Sequence, residues 1–310
     1  MLHDNHAMAI GKYIKEIGRG KDGARALSRA QAADLLGQVL DGTVTDLEVG
    51  GFCLAMRIKG ETPEEMCGFL DAIHARLQRI PAPVPGVPTV VIPSYNGARK
   101  LPVLTPLLAQ LLAREGLPVL VHGVATESSR VFTADVFAAL GLPVQSAIAP
   151  IAPATAAFVP TAILCPGLQK LLEVRRVVHL RNPAHSLVKL MTPCSGPSLL
   201  VTSYTHPEYA VSMAATIERM QTNALLLRGT EGEAVADPRR IPRMQAFLSG
   251  VPQPASAQQL GSLPTLPDLP ETTDATATAH YIQSVLNGTR PVPQPIAQQV
   301  ACILQMSRSL

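Results

Sequence analysis

Along residues 1–80 the apolar positions recur at helical spacing, and polar residues sit where helices start and stop. Ser28 precedes a segment that ends near Asp41-Gly42, and Thr45 opens a second whose Leu47, Phe52, Leu54 and Met56 can cover one apolar face. Thr62-Pro63-Glu64-Glu65 combines a hydroxyl cap, a proline at the first helical position and a carboxylate three residues on, which predicts a third helix running to about Arg79. Pro81, Pro83, Pro85 and Pro88 then make a stiff connection.

Beyond these prolines the pattern changes to short strands alternating with helices. Thr89–Ile92 reads as a β-branched strand, 103–115 as a helix, Val119–Val121 as a strand and Thr133–Leu140 as a helix. Ser198–Thr202, Glu208–Met220 and Ala224–Leu227 repeat strand, helix and strand. Such alternation predicts an α/β fold with a mainly parallel sheet covered by helices. Residues 250–272, rich in Pro, Ser and Gln, read as an irregular crossover, and helices near 276–287 and 296–307 close the chain. The expected organisation is a small all-helical domain over residues 1–82, with part of 150–190 packing on it, and a larger α/β domain over 88–310. A length of 310 residues agrees with two domains.

Composition narrows the function classes. With 47% hydrophobic and 16% charged residues the chain can bury a large core, which excludes a mainly disordered protein. A net charge of +3 is small, so any polyanion-binding role needs clustered charge. No Trp, five Tyr and six Phe disfavour a surface built on base stacking. Cys53, Cys67, Cys165, Cys194 and Cys302 are odd in number and never form a C-x-x-C pair; they read as reduced thiols, those at 165 and 194 as inert core groups. The N-terminus shows no apolar core of signal-peptide length, and a cytoplasmic location is expected. Residues 136–169 carry no formal charge, but Pro143, Pro150, Pro153, Pro160 and Pro166 interrupt them, which favours buried strand and crossover over a membrane span.

Several stretches together resemble anthranilate phosphoribosyltransferases, of the glycosyltransferase family 3 fold. Asp46 to Glu65 is similar to that family's N-terminal helical domain, with its Lys-Gly-Glu-Thr run at Lys59–Thr62. Val121-His122-Gly123, Ser128-Ser129, Ala134-Asp135 and Ala139-Leu140-Gly141 fall at the spacing of later family segments, and the likeness continues through Tyr204–Tyr209 to the closing helices. The resemblance implies a nucleoside phosphorylase/phosphoribosyltransferase fold: a helical domain followed by a mainly parallel α/β domain.

The departures from that family remove its chemistry. Where the resemblance implies a glycine-rich loop wrapping a diphosphate, the chain has Pro93-Ser94-Tyr95-Asn96-Gly97; proline has no N–H to offer and tyrosine is bulky. In the Lys-His-Gly-Asn segment Val121 and Val124 stand at the lysine and asparagine positions, with His122 and Gly123 kept. The Asp-Glu pair that holds magnesium in the family corresponds to Ala234-Val235, neither of which can ligate a metal, although Glu231, Glu233 and Asp237 are near enough in sequence to be considered as substitutes. Arg181 matches the arginine that orients the aromatic acid, but Asn182-Pro183-Ala184-His185 departs after it. His122 and His185 read as hydrogen-bonded structural residues, and no catalytic residue, metal or cofactor is expected. The alternative is a diverged magnesium-dependent phosphoribosyl or pentosyl transferase acting on an aromatic or nucleobase substrate.

Positive charge is clustered. Lys12, Lys15, Arg19, Lys21, Arg25 and Arg29 stand against Glu16 and Asp22; Lys170, Arg175, Arg176, Arg181 and Lys189 against Glu173 alone, with His179 and His185 interspersed. Arg99-Lys100 follow the former diphosphate loop, while Arg228, Arg239, Arg240 and Arg243 flank the former metal turn. The degenerate loop and the 181–189 and 229–240 segments resemble the YbiB-type subset of the fold. That resemblance implies a DNA-binding homodimer formed through the helical domain, taking DNA or RNA with little sequence preference in a basic interdomain groove. On this expectation Arg99, Lys100, Lys170, Arg175, Arg176, Arg181, Lys189, Arg239, Arg240 and Arg243 contact nucleic acid. A third class is a protein-interaction module on the same scaffold.

Overall fold

A computed structural model describes residues 10–20, 22–127, 129–256 and 258–310. The N-terminal reading over 1–9, Lys21 of the first basic cluster and Ser128 of the Ser-Ser pair lie outside them. In chain order the elements are α1 (Gly11–Ile17), α2 (Arg29–Asp41), α3 (Asp46–Lys59), α4 (Pro63–His74), β1 (Thr89–Ser94), α5 (Thr105–Arg114), β2 (Val119–Gly123), α6 (Thr133–Ala139), β3 (Ala156–Pro160) and α7 (Thr161–Leu164). They continue with α8 (Pro166–Val178), α9 (Ala184–Leu187), β4 (Ser198–Tyr204), α10 (Pro207–Arg219), β5 (Ala224–Arg228), β6 (Met244–Leu248), β7 (Val251–Pro252), α11 (Ala275–Leu286) and α12 (Gln294–Ser307). The chain divides into two compact units: Met1–Leu77 with Cys165–Met191, and Gln78–Leu164 with Thr192–Leu310.

The first unit is helical. Ser28, Thr45 and Thr62 each open a helix with a reciprocal capping box, completed by Gln31, Glu48 and Glu65. α2 and α4 cross so closely at Gly68 that a Cβ there would lie 2.2 Å from the Arg29 carbonyl oxygen. Glu65 is fully buried and meets Lys59 Nζ at 2.6 Å, while its other oxygen accepts from Leu27 N–H at 2.9 Å. The Lys59–Thr62 run therefore closes the α3–α4 turn through a buried ion pair. α4 stops at His74, short of the predicted Arg79: Gln78 N–H donates instead to Leu164 O, and Ile80 N–H to Pro193 O. On α3, Phe52, Cys53 and Met56 are buried, but Leu47 is 86% exposed and Leu54 47%, so the apolar face is narrower than predicted.

The second unit is an α/β layer structure around one seven-stranded sheet of order β3-β2-β1-β4-β5-β6-β7. β1 to β5 are parallel, and β6 and β7 are antiparallel additions at one edge. Its core is formed by Val90, Ile92, Val121, Leu199 and Val201 of the strands with Leu107, Leu108, Ile282 and Ile303 of the helices. The fold is thus an N-terminal helical domain plus a larger, mostly parallel α/β domain. β6 was not legible because Met244–Leu248 is short and follows Pro242 without alternation; β1 runs through Pro93, which pairs in register with His122.

Candidate functional site

In the parallel sheet the strand order reverses between β1 and β4: successive strands extend outward from β1 on one side and from β4 on the other. Loops leaving the carboxyl ends of strands at such a reversal form the usual ligand crevice of open α/β sheets. Here they are residues 95–104 after β1, 205–206 after β4 and 229–243 after β5.

The loop after β1 is already occupied by the chain's own carboxylate. Glu233, 2% exposed, accepts the backbone N–H of Asn96 at 2.7 Å and of Gly97 at 2.8 Å through one oxygen. Its other oxygen accepts the hydroxyls of Ser94 and, at 3.1 Å, Thr105. Convergent backbone N–H groups with flanking hydroxyls are the donor set that cradles an oxyanion. Asn96 clamps the arrangement by donating from Nδ2 to Gly232 O at 2.8 Å; Gly232 has φ +91°, and a Cβ there would lie 2.1 Å from Asn96 Nδ2.

Tyr95 turns inward, its hydroxyl 2.8 Å from both His122 Nδ1 and Thr161 Oγ1. Burial pushes His122 down to about 3, so its imidazole is neutral, and its Nε2 has no hydrogen-bond partner among the described residues. Val121 is fully buried in β2 and Val124 half-buried just beyond it, so this segment presents no lysine or amide. Ala234 and Val235, each 1% exposed, lie in the core, where Gln299 of α12 bonds Ala234 O at 2.9 Å and Ala236 N at 2.8 Å. A magnesium ion of the family's type does not fit: its two positions are buried apolar side chains and Glu233 is committed to four donors. Among the described residues no group of three or more His, Cys, Asp or Glu side chains is placed to hold a metal.

Glu231 lies two residues before Glu233 and meets the same loop a few residues farther on. Its carboxylate accepts N–H groups from Arg99 at 2.7 Å, Lys100 at 3.1 Å and Leu101 at 3.4 Å. Its backbone holds φ +52°, a left-handed conformation unusual for a residue with a side chain. Beside it opens a pocket of about 610 Å³ that Lys100, Arg228, Arg239, Arg240 and Arg243 line against only Glu231 and Asp237. Burial pushes the Asp237 carboxyl up, but hydrogen bonds and charge from Arg239, with the charge of Arg240, outweigh it and hold Asp237 below the ordinary range. Lys100, Arg228 and Arg243 are exposed and make no ion pair among the described residues.

The predicted basic residues thus fall into two sets. Lys100, Arg239, Arg240 and Arg243 share one pocket of the α/β unit, with Arg99 supplying a backbone donor at its rim. Lys170, Arg175 and Arg176 on α8, with Arg181 and Lys189, belong to the helical unit. Asn182-Pro183-Ala184-His185 is a structural turn there: Asn182 Nδ2 donates to Leu171 O at 2.7 Å and its Oδ1 accepts from Ala184 N at 3.0 Å. In the N-terminal cluster Arg29 is bound bidentately by Asp71 and Arg19 pairs with Glu16. Glu231 and Glu233, considered from sequence only as replacement metal ligands, are instead anions for backbone donors more than a hundred residues away. The sequence signal for them was their place in Gly229-Thr-Glu-Gly-Glu233, directly after a strand end at the crevice.

Comparisons with known proteins agree with this fold. The helical bundle domain of a glycosyl transferase family matches residues 12–76. The YbiB protein of Escherichia coli is 40% identical over 303 residues, covering 96% of this chain and 94% of its own. Anthranilate phosphoribosyltransferase of Brevibacillus brevis is 34% identical over 119 residues, 38% of this chain and 35% of that protein. Among solved structures, the anthranilate phosphoribosyltransferase of Thermus thermophilus superposes with a TM-score of 0.70 at 20% identity, over 93% of this chain and 85% of that one. The Saccharomyces cerevisiae enzyme in complex with PRPP and Mg gives 0.70 at 14% identity, over 98% and 90%. At these identities the structures establish the fold alone.

Proposed function

Starting from the fact that this chain belongs to the YbiB family, on the fold of the anthranilate phosphoribosyltransferases, we propose that it binds DNA or RNA without sequence preference and without catalysis. The observation that carries the reading is the Glu233 carboxylate seated in the β1 loop. It takes the donors a substrate diphosphate would need, beside a pocket that retains a surplus of arginine and lysine. A surface of fixed cations with few aromatic groups neutralises phosphates and leaves bases unread.

The proposed contacts are Arg99, Lys100, Arg228, Arg239, Arg240 and Arg243 of the α/β unit, with the basic segment from Lys170 to Lys189 of the helical unit contributing charge of the same sign. A homodimer through the helical unit belongs to the same proposal; the exposed Leu47, Leu54 and Ile58 of α3 and Val177 of α8 support it, as unpartnered apolar side chains. The five free cysteines suit a reducing cytoplasm. Among the described residues no helix is long and apolar enough to cross a membrane.

Fluorescence anisotropy of labelled single- and double-stranded oligonucleotides, titrated across ionic strength, tests the proposal. The expected result is binding at low salt that weakens steeply and similarly for all sequences as salt rises. Absence of binding at low salt, affinity flat with salt, or magnesium-dependent binding of phosphoribosyl diphosphate by calorimetry would overturn it.

A further inference from the structure

The contacts of Glu231 resemble those of a bound ligand more than those of a structural side chain. Three consecutive N–H groups, of Arg99, Lys100 and Leu101, converge on one carboxylate contributed from across the crevice. Successive N–H groups on one concave stretch of backbone form an anion-binding nest. The nest opens on the pocket whose five cationic side chains face two acids, and one of those acids is the occupant itself. Asp237, the other, is satisfied by Arg239 and Arg240, which leaves Lys100, Arg228 and Arg243 with no anion of their own among the described residues. Glu231 also holds a left-handed backbone conformation that glycine adopts without strain. The half-exposed carboxylate can be released to water, unlike that of buried Glu233.

We propose that the N–H nest of Arg99–Leu101 is a phosphate-binding site which Glu231 holds closed as a built-in competitor, and that an incoming phosphate displaces the carboxylate and is held by the nest together with Lys100, Arg228 and Arg243. This deepens the nucleic-acid reading and rests on it only for the source of the phosphate; free phosphate and a nucleic-acid backbone present the same oxygens. An internal competitor lowers the apparent affinity by the fraction of molecules in which it is displaced. With the open state at a tenth or less of the population, removing the competitor is expected to tighten phosphate binding by about tenfold or more.

The test compares the full chain with Glu231→Gly, which vacates the nest and suits the positive φ, and with Glu231→Gln, which keeps the size and removes the charge. Inorganic diphosphate is titrated by calorimetry, and the amide resonances of Arg99, Lys100 and Leu101 are followed by NMR. A labelled oligonucleotide is titrated in parallel. The proposal expects both variants to bind diphosphate about tenfold more tightly, with the shifts centred on those three amides. Unchanged or weaker diphosphate binding by both variants, or shifts elsewhere, overturns it. If the variants gain diphosphate affinity but neither they nor the parent chain binds oligonucleotide, this site stands and the nucleic-acid reading falls. If the parent binds oligonucleotide and neither variant gains for either probe, the reverse holds.

Discussion

Glu231 and Glu233 come from one tight turn and do opposite work. Glu233 is buried, bonded to two backbone N–H groups and two hydroxyls, and joined by Asn96 and Gly232 into the floor of the crevice. Glu231 also meets backbone N–H groups, but it is half-exposed, on a strained backbone, and faces a cationic pocket. The difference lies in what water can do. Around Glu233 no solvent can replace the carboxylate, so the loop and the acid are one structural unit; around Glu231 either water or another anion can take the vacated donors. The loop after β1 thus takes one acid into the core and, a few residues on, meets another beside a cationic pocket.

The sharpest way to break this comparison is to remove each carboxylate in turn. Glu233→Ala takes the buried acceptor away from the Asn96 and Gly97 N–H groups and the Thr105 hydroxyl, while the Ser94 hydroxyl keeps Thr133 Oγ1, and is expected to cost about 3–5 kcal/mol. Glu231→Ala exposes its donors to water and should cost about 1 kcal/mol, the order of a lost helix cap. Denaturant midpoints of the two variants check this; equal losses would mean that burial does not separate the two sites.

An effect that appears only on acidification is expected from His122, under the same loop. Its unfolded imidazole takes a proton near pH 6.5, whereas the folded one takes it only at about 3. Between those values the unfolded state binds more protons, so stability falls as the pH drops below about 6.5, approaching about 1.4 kcal/mol for each further pH unit. His122→Asn, which can keep an acceptor for the Tyr95 hydroxyl, should flatten that dependence in thermal unfolding followed from pH 7 to 4. A dependence as steep in the variant as in the parent would place the acid sensitivity elsewhere.

Much of the fold was legible because local chemistry and global pattern agree: hydroxyl caps at Ser28, Thr45 and Thr62 start the helices, and Val-rich runs at 89–92 and 119–121 are central strands. The site was legible only by subtraction. Pro93, Val121, Ala234 and Val235 announce what is missing, since each lacks a group that phosphate or magnesium requires. What fills the gap could not be read, because Glu233 meets Ser94 and Asn96 across more than 130 residues and no periodicity records such a pairing. Charge counting named Arg175 and Arg176 beside Arg239 and Arg240 as contacts of an interdomain groove; the first pair belongs to the helical unit and the second to the α/β unit.

That last distinction sets the finest test. Arg228 and Arg243 line the pocket, are exposed and have no ion pair among the described residues, so truncating either should change binding and leave stability within about 0.5 kcal/mol. If each neutralises one phosphate, Arg228→Ala and Arg243→Ala should each lower the slope of log K against log salt by about 0.9 and weaken all oligonucleotide sequences alike. Arg175 is half-buried on α8 of the other unit, and its removal alters packing as well as charge. A slope that falls for Arg175→Ala and stays unchanged for both pocket arginines would move the phosphate contacts from the sheet crevice to the helical unit. A loss confined to one sequence would mean that a base is being read.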